Sequence, residues 1–306
     1  MSMKKFVVKN NLGIILENKS FKDLTTIKVG GKIKTLFYPN TIDSLKRGVC
    51  YLLCKKKQFF IIGNGSNIVA SDRIFYPVVI NGKHIENQVN FYDDYFTCSA
   101  FMDMRFLNAK LIEKNISTLL DLSGIPATIG GAIVMNAGAL KSRISDNLIW
   151  VNVLEDGVSK KYYKDELTFG YRSSSFKKNT VILEAAFKII YSAESVILYQ
   201  EILRKRREKH PLNYPNCGSV FKNLFNIKAY EVIRKIEMNS YVIGDAMFSE
   251  KHSNFIVNLG TAKAIDIYQL ISLAKKKAFE MYDITLEEEV LLLNFKEKSF
   301  FKIINF

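Results

Sequence analysis

Two glycine-bearing runs hold the residues whose types and spacing best suit chemistry. The longer is Ser123-Gly124-Ile125-Pro126-Ala127-Thr128-Ile129-Gly130-Gly131-Ala132-Ile133-Val134-Met135-Asn136-Ala137-Gly138, where four glycines are threaded through small and apolar positions. Glycine lets backbone N–H groups approach a ligand closely. Successive N–H groups in turn conformations make a concave anion site, and a helix start adds partial positive charge. The run reads as a cradle for a dinucleotide or flavin, although it lacks the Rossmann spacing. A tight glycine corner between packed elements accounts for the same residues equally well. The shorter run, Gly63-Asn64-Gly65-Ser66-Asn67, joins two glycines to three hydrogen-bonding side chains. Alone, it is as readily a turn, with Asp72 as a loop cap.

Other chemistries find less support. Cys50, Cys54, Cys98 and Cys217 form no CxxC pair and have no metal-ligand spacing with His84, His210 or His252. No metal is expected, and free thiols in a reducing compartment are. The 306 residues suffice for two or three domains, and 48% hydrophobic with 24% charged residues is ordinary for a soluble globular protein. No apolar run nears the ~18 residues that span a membrane, and Met1-Ser2-Met3-Lys4-Lys5-Phe6 leads into no signal-like segment. A cytoplasmic location is expected. The 44 basic against 30 acidic residues give a net charge of +14, which raises nucleic-acid binding as a rival reading. The basic residues are spread along the chain, however, so the charge better suits phosphate and carboxylate ligands.

The elements that must position these runs follow from periodicity. Thr41 to Lys57 is an amphipathic helix, and Phe59–Ile62 a buried strand running straight into the GNGSN loop. Short strands are expected at Val78–Ile80 and Phe96–Ser99, with a helix from Asp103 to Lys114 before the longer glycine run. Trp150–Leu154, Asp156-Gly157 and Val158 onward form a hairpin, and Val181–Ile190 is a strand. Helices follow over 193–209, 227–238 and 262–281, with strands at Phe255–Asn258 and Thr285–Leu293. Arg204, Arg206 and Arg207 read as a solvated helix face. The composition shift near residue 192 is the best boundary, giving an α+β protein.

In order, TTIKVGG, IIGNGSNIVASD, SGIPATIGGAIVMNAGA, FGYRSSSFK, PNCGSVFKN with SEKHSNFIVN, and LEEEV resemble the UDP-N-acetylenolpyruvoylglucosamine reductase family across roughly Thr25 to Leu293. Their shared order and spacing are far more specific than any one motif. The resemblance implies an α+β, FAD-binding fold of the p-cresol methylhydroxylase type in two lobes (1–70 and 71–192). A C-terminal α+β substrate-binding domain (193–306) follows. It further implies non-covalent FAD held by Gly63, Asn64, Gly65, Ser66, Asn67, Thr128, Gly130, Gly131 and Ala132, and NADPH as co-substrate. The implied reaction turns the enolpyruvyl group of a UDP-linked amino sugar into UDP-N-acetylmuramate for peptidoglycan, with hydride passing from FAD N5 to C3.

The same match puts Arg172, Ser219 and Glu289 at catalytic positions. Arg172 is to stabilise charge on the substrate carboxylate, Ser219 to give a proton to C2, and Glu289 to position or polarise the carboxylate. Tyr171, Lys222 and Asn223 are implied substrate contacts, while His252 is expected to be a hydrogen-bonded structural residue. Outside the resemblance, Arg172 reads as a surface stack on Tyr171, Ser219 as a turn hydroxyl and Glu289 as a strand-edge charge. The short interval between Arg172 and Ser219 resembles the class with shorter substrate-side insertions and no tyrosine-bearing lid. Ala127, Leu224, Leu291 and Asn294 depart from the usual Gly, Pro, Arg and Gly. With Leu291 in place of Arg, more of the work falls to Arg172. No nucleic-acid, membrane or obligate protein partner is expected. The alternatives are a flavin oxidase of another small substrate and a flavin-binding scaffold without turnover. The basic, aromatic tail 296–306 lies beyond the match.

Overall fold

The computed structural model describes residues 1–177 and 180–295, so the tail lies outside the described residues. Helix α1 (Met3–Lys9) leads into strand β1 (Gly13–Ser20), which pairs antiparallel with β2 (Lys32–Pro39). Helix α2 (Ile42–Cys54) begins where Thr41 caps it, its hydroxyl accepting from the Ser44 N–H at 3.0 Å. Its Leu45, Val49 and Leu52 are fully buried, each contributing roughly 1.5–3 kcal/mol. Next come β3 (Phe60–Ile62), β4 (Ile68–Ala70) and β5 (Tyr76–Asn81). β5 runs parallel to both β2 and β3, giving the order β1-β2-β5-β3. It is buried along nearly its whole length, as a central parallel strand covered on both faces must be. The first sheet therefore extends to Asn81, past the expected lobe boundary at residue 70.

The second sheet is wholly antiparallel. It draws on β6 (Val89–Phe91), β7 (Tyr95–Ser99) and, after helices α3 (Met104–Ile112) and α4 (Ile129–Val134) and the hairpin β8 (Gly138–Ala139) with β9 (Ser142–Arg143), on β10 (Leu148–Glu155) and β11 (Val158–Tyr163). The small hairpin β12 (Phe169–Gly170) with β13 (Ser173–Ser174) precedes β14 (Val181–Lys188), and the strand order is β11-β10-β14-β7-β6. At the β10–β11 turn, Asp156 and Gly157 take φ of +51° and +84°, the left-handed pair that a two-residue I′ turn requires. Leu107, Leu111, Ile129 and Ile133 from α3 and α4 bury against Phe96, Val151 and Phe187 of the sheet.

Helix α5 (Ser195–Lys209) carries the chain to β15 (Asn216–Ser219), α6 (Ala229–Lys235), β16 (Val242–Ile243), β17 (Ala246–Phe248), β18 (Phe255–Asn258), α7 (Ala264–Tyr282) and β19 (Leu291–Leu293). The third sheet has the order β15-β18-β17-β16, and α7 packs on it through Ile267, Leu270, Ile271 and Ala274. That core also takes in Ile27, Val29 and Val69 from the N-terminal part. β19 returns to pair in parallel with β4, and Leu293 packs with Phe21 and Tyr76. The expected strand over Thr285–Leu293 is regular only in its last three residues. Its earlier part crosses to residues 220–222, where Glu289 N–H donates to Val220 O at 2.8 Å and Lys222 N–H to Glu287 O at 2.9 Å. Among the described residues, no helix is long and apolar enough to cross a membrane.

Candidate active site

A cleft of about 1140 Å³ lies between the first sheet, the longer glycine run with its following hairpin, helix α5 and the third sheet, and both glycine runs line it. Between β3 and β4, none of the five backbone N–H groups of Gly63–Asn67 finds a hydrogen-bond partner among the described residues. Gly65, with φ +61°, bends this loop. Backbone donors grouped without partners form a concave surface able to hold an anion. The side of the loop is closed by the second run: a methyl group on Gly63 would lie 2.3 Å from Thr128 Oγ1. Asn81 donates its amide to Gly63 O at 3.0 Å. Asn67 ties the far end down, donating to Glu289 O at 3.0 Å and accepting at its carbonyl from Leu291 N–H at 2.9 Å.

The longer run is the more fully paired of the two. Some of its N–H groups are spent inside the protein: Ile129 donates to Met102 O at 2.9 Å, Gly130 to Ala100 O at 2.7 Å and Gly131 to Thr128 Oγ1 at 3.3 Å. Those of Gly124, Ala127 and Thr128, which line the cleft, have no partner among the described residues. Gly130 is a packing glycine, where a methyl group would meet Ala100 Cβ at 3.1 Å, and it does not line the cleft. Thr128, Gly131 and Ala132 do. They offer a smooth wall for a flat ligand, and unpaired backbone donors stand on both runs.

Arg172, Ser219 and Glu289 all line the same cleft. Arg172 is the second residue of the two-residue turn between β12 and β13, held at φ +54°. A non-glycine residue there is strained by roughly 1 kcal/mol or more. The turn is fixed from below by Asn136, itself at φ +42°, whose amide donates to Gly170 O at 2.8 Å, and by Ser174 Oγ donating to Val134 O at 2.6 Å. The guanidinium is only 19% exposed; its Nε donates to Glu289 Oε1 at 2.5 Å and its Nη2 to Gly138 O at 3.0 Å. Nη1 has no partner among the described residues. Burial pushes the Glu289 carboxyl above its usual range, and Arg172 and Lys222 pull it only part of the way back. Gly218, at φ +77°, turns the strand just before Ser219, and the Ser219 hydroxyl makes no hydrogen bond among the described residues. Thr26 braces both flanks, with its N–H donating to Gly65 O at 3.1 Å and its hydroxyl to Asn216 O at 2.7 Å.

Tyr171, Lys222 and Asn223, the expected substrate contacts, do not line this cleft. Lys222 pairs with Glu287 at 2.6 Å, Asn223 Oδ1 accepts from Ala229 N–H at 3.1 Å, and Tyr171 Oη accepts from Asn223 N–H at 3.3 Å. His252 packs against His210, Tyr230 and Phe255, and its Nδ1 is buried without a partner among the described residues. It is a packing residue there rather than a hydrogen-bonded one. His210 lines the cleft, with burial as the main cause lowering it to about 4. Arg206 is the residue that periodicity missed. Far from belonging to a solvated face, it lies against Gly124, where a methyl group would meet its Cδ at 2.3 Å. It lines the cleft without a partner among the described residues, and burial brings it down to about 10. Nothing in the helical spacing of α5 signals this, because the partner surface is the glycine run eighty residues earlier.

An open donor loop between two lobes, with a third sheet closing the cleft, makes this an FAD-binding fold with an appended C-terminal domain. Residues 33–158 match the family model for an FAD binding domain, and residues 210–293 match that for the C-terminal domain of UDP-N-acetylenolpyruvoylglucosamine reductase. The enzyme of that name from Aquifex aeolicus (strain VF5) is 33% identical over 301 residues, 95% of this chain and 99% of the relative. The one from Carboxydothermus hydrogenoformans is 36% identical over 284 residues, 91% and 94% of the two chains. The crystal structure of the Thermus caldophilus reductase superposes with a TM-score of 0.77 at 30% identity, covering 92% of this chain and all of that one. A glucooligosaccharide oxidase from Acremonium strictum, at 13% identity and TM-score 0.52 over 94% of this chain and 60% of its own, shares the fold alone. The chain belongs to the UDP-N-acetylenolpyruvoylglucosamine reductase family.

Proposed function

We propose that this chain reduces the enolpyruvyl group of UDP-N-acetylglucosamine enolpyruvate to UDP-N-acetylmuramate, with FAD and NADPH. The observation that carries this reading is one cleft holding both the open donor loop Gly63–Asn67 and the Arg172–Glu289 pair beside the free Ser219 hydroxyl. FAD, when bound, supplies the redox chemistry, taking hydride from NADPH and passing it to C3 of the enolpyruvyl group. The GNGSN loop holds the cofactor diphosphate, and Thr128, Gly131 and Ala132 form the wall beside it.

The remaining work belongs to side chains. Arg172 keeps one guanidinium nitrogen free for the substrate carboxylate, where negative charge gathers as C3 is reduced. Glu289 fixes the guanidinium, and its raised pKa suits a carboxyl that shares a proton with the substrate carboxylate. Ser219 donates a proton to C2, which in the enolate-like intermediate is basic enough to take it. Tyr171, Lys222 and Asn223, outside the cleft, hold the nucleotide end. This reading divides the chain into two flavin-holding lobes that meet just after Asn81 and a substrate-side unit from residue 193.

The test separates the half-reactions. Anaerobic NADPH should bleach the flavin absorbance of the purified protein; flavin that stays oxidised would point instead to an oxidase. Ser219→Ala should leave that step nearly intact and slow flavin reoxidation by the enolpyruvyl substrate at least ~100-fold, the scale of a lost proton donor. Equal loss in both half-reactions would remove Ser219 from the chemistry.

A further inference from the structure

Asn64 lines the cleft within the GNGSN loop, yet its amide donors are already engaged by protein. Its amide donates to Asp103 Oδ2 at 2.6 Å and to Pro126 O at 3.3 Å. Asp103 precedes α3, on the far side of the longer glycine run. Its Oδ1 accepts from Arg105 N–H at 2.8 Å, capping the helix, and from Arg105 Nε at 3.0 Å, while Oδ2 also takes Arg105 Nη2 at 2.8 Å. Its backbone forms a bridge with Thr128. One carboxylate thus reaches the donor loop, and its own backbone joins the wall opposite it.

The physical need for such a clamp comes from the loop itself. With none of its five N–H groups bonded among the described residues, the loop has no backbone ladder to fix its conformation, and many alternative shapes compete with the one observed. The loop keeps its shape only if its flanks are fixed. Asn67, Asn81 and Thr26 fix its end, its first carbonyl and its bend; Asn64 fixes its second residue, and Asp103 is the charged partner of that contact. Burial alone would raise the Asp103 pKa, but the hydrogen bonds from Arg105 and Asn64 leave it lowered, so the carboxylate stays an acceptor.

We propose that Asp103 is a positioning residue for the cofactor: through Asn64 it holds the GNGSN loop in the shape that receives a dinucleotide diphosphate. The proposal rests on the reading that FAD occupies this cleft. A merely structural role, as the cap of α3, makes a different prediction. Asp103→Asn keeps volume and a capping oxygen for Arg105 N–H but removes the charge. Asn64 can then meet the new NH₂ group only by flipping its amide, which gives up its bond to Pro126 O and sets oxygen against oxygen there.

The holoenzyme is diluted and FAD release is followed by flavin fluorescence, with FAD titrated back to obtain its Kd. Unfolding is followed in saturating FAD through Trp150. Asp103→Asn should weaken FAD binding about 10- to 100-fold, the range for a hydrogen bond to a charged group. At one fixed, saturating FAD concentration the unfolding temperature should fall by no more than the weaker binding itself accounts for, RT ln of the Kd ratio, or about 1.4–2.7 kcal/mol for a 10- to 100-fold change. Asn64→Ala should show the same loss, and the double variant no more than either single one. FAD affinity within twofold of the parent, additive losses, or an effect confined to unfolding temperature would each overturn the proposal. If Asp103→Asn does not fold, Asp103→Ser, which still caps the helix but is too short to reach Asn64, is judged by the same outcomes. A parent protein that binds no FAD would refute the underlying cofactor reading instead.

Discussion

Replacing Glu289 with glutamine separates the stability of this site from its activity. The Glu289 side chain is 16% exposed and accepts from Arg172 Nε at 2.5 Å. Burial raises its pKa, and the neighbouring cations offset this only in part. The folded state therefore holds its proton more tightly than the unfolded state does. The stability linked to this group is present in full below the unfolded value near 4.5 and is lost as pH rises through the folded pKa. Glutamine has no such proton to lose. The unfolding temperature of Glu289→Gln relative to the parent should thus improve as pH rises above about 4.5 and level off once pH has passed the folded pKa. Every tenfold difference in proton affinity between the folded and unfolded states is worth about 1.4 kcal/mol, or about 2–4 °C in a chain of this size class. Circular dichroism melts of both proteins across that range measure the effect directly. Turnover should fall by roughly 10²–10⁴, as for a lost acid–base group. A temperature difference that is flat with pH, or that moves against glutamine as pH rises, would mean that Arg172 outweighs burial. Turnover within tenfold of the parent would take Glu289 out of the mechanism.

Two substitutions test the backbone of the site. Arg172→Gly and Arg172→Ala both remove the guanidinium and should both be inactive, but glycine tolerates φ +54° and alanine does not. The glycine variant should be the more stable of the two by about 1 kcal/mol in urea unfolding, and equal stability would mean that the turn is unstrained. Gly63→Ala forces a methyl group to 2.3 Å from Thr128 Oγ1. It should cost about 1–3 kcal/mol, as overpacking does, and weaken FAD retention measured by the absorbance ratio of the purified protein; full retention would show that the two runs can move apart.

Much of the fold is legible in the sequence because its signals are local. The spacing of Ile42, Leu45, Val49 and Leu52 marks α2, and Asp156-Gly157 marks the β10–β11 hairpin, since each depends only on neighbours in sequence. β1 escapes such a reading, although Gly13-Ile14-Ile15-Leu16 opens it. It lies at the edge of its sheet, with an irregular burial pattern that gives no clean alternation. β19 is shorter than its apolar run suggests, because three consecutive glutamates, Glu287 to Glu289, serve three separate partners: Lys222, Lys275 and Arg172. The first sheet runs past residue 70 because β5 pairs with β2, a strand about forty residues before it.

The site is legible in its residue types and less so in their division of labour. Glycine reports only that a side chain is intolerable, and Gly63, Gly130 and Gly218 answer to three different demands: Thr128 beside the loop, Ala100 beneath the helix, and a left-handed turn before Ser219. Which N–H groups remain free depends on the carbonyls opposite, and those of Ala100 and Met102 come from a separate element. The same geometry explains why motifs so far apart must keep their order. Asn67 grips residues 289 and 291 from the donor loop, while Glu289 grips Arg172 from the opposite lobe. The segment that bears the carboxyl is thus held on one side by the GNGSN loop and on the other by the guanidinium. A shift of either flank would move Glu289 relative to both, so the geometry of the donor loop and that of Arg172 are set by one shared piece of backbone.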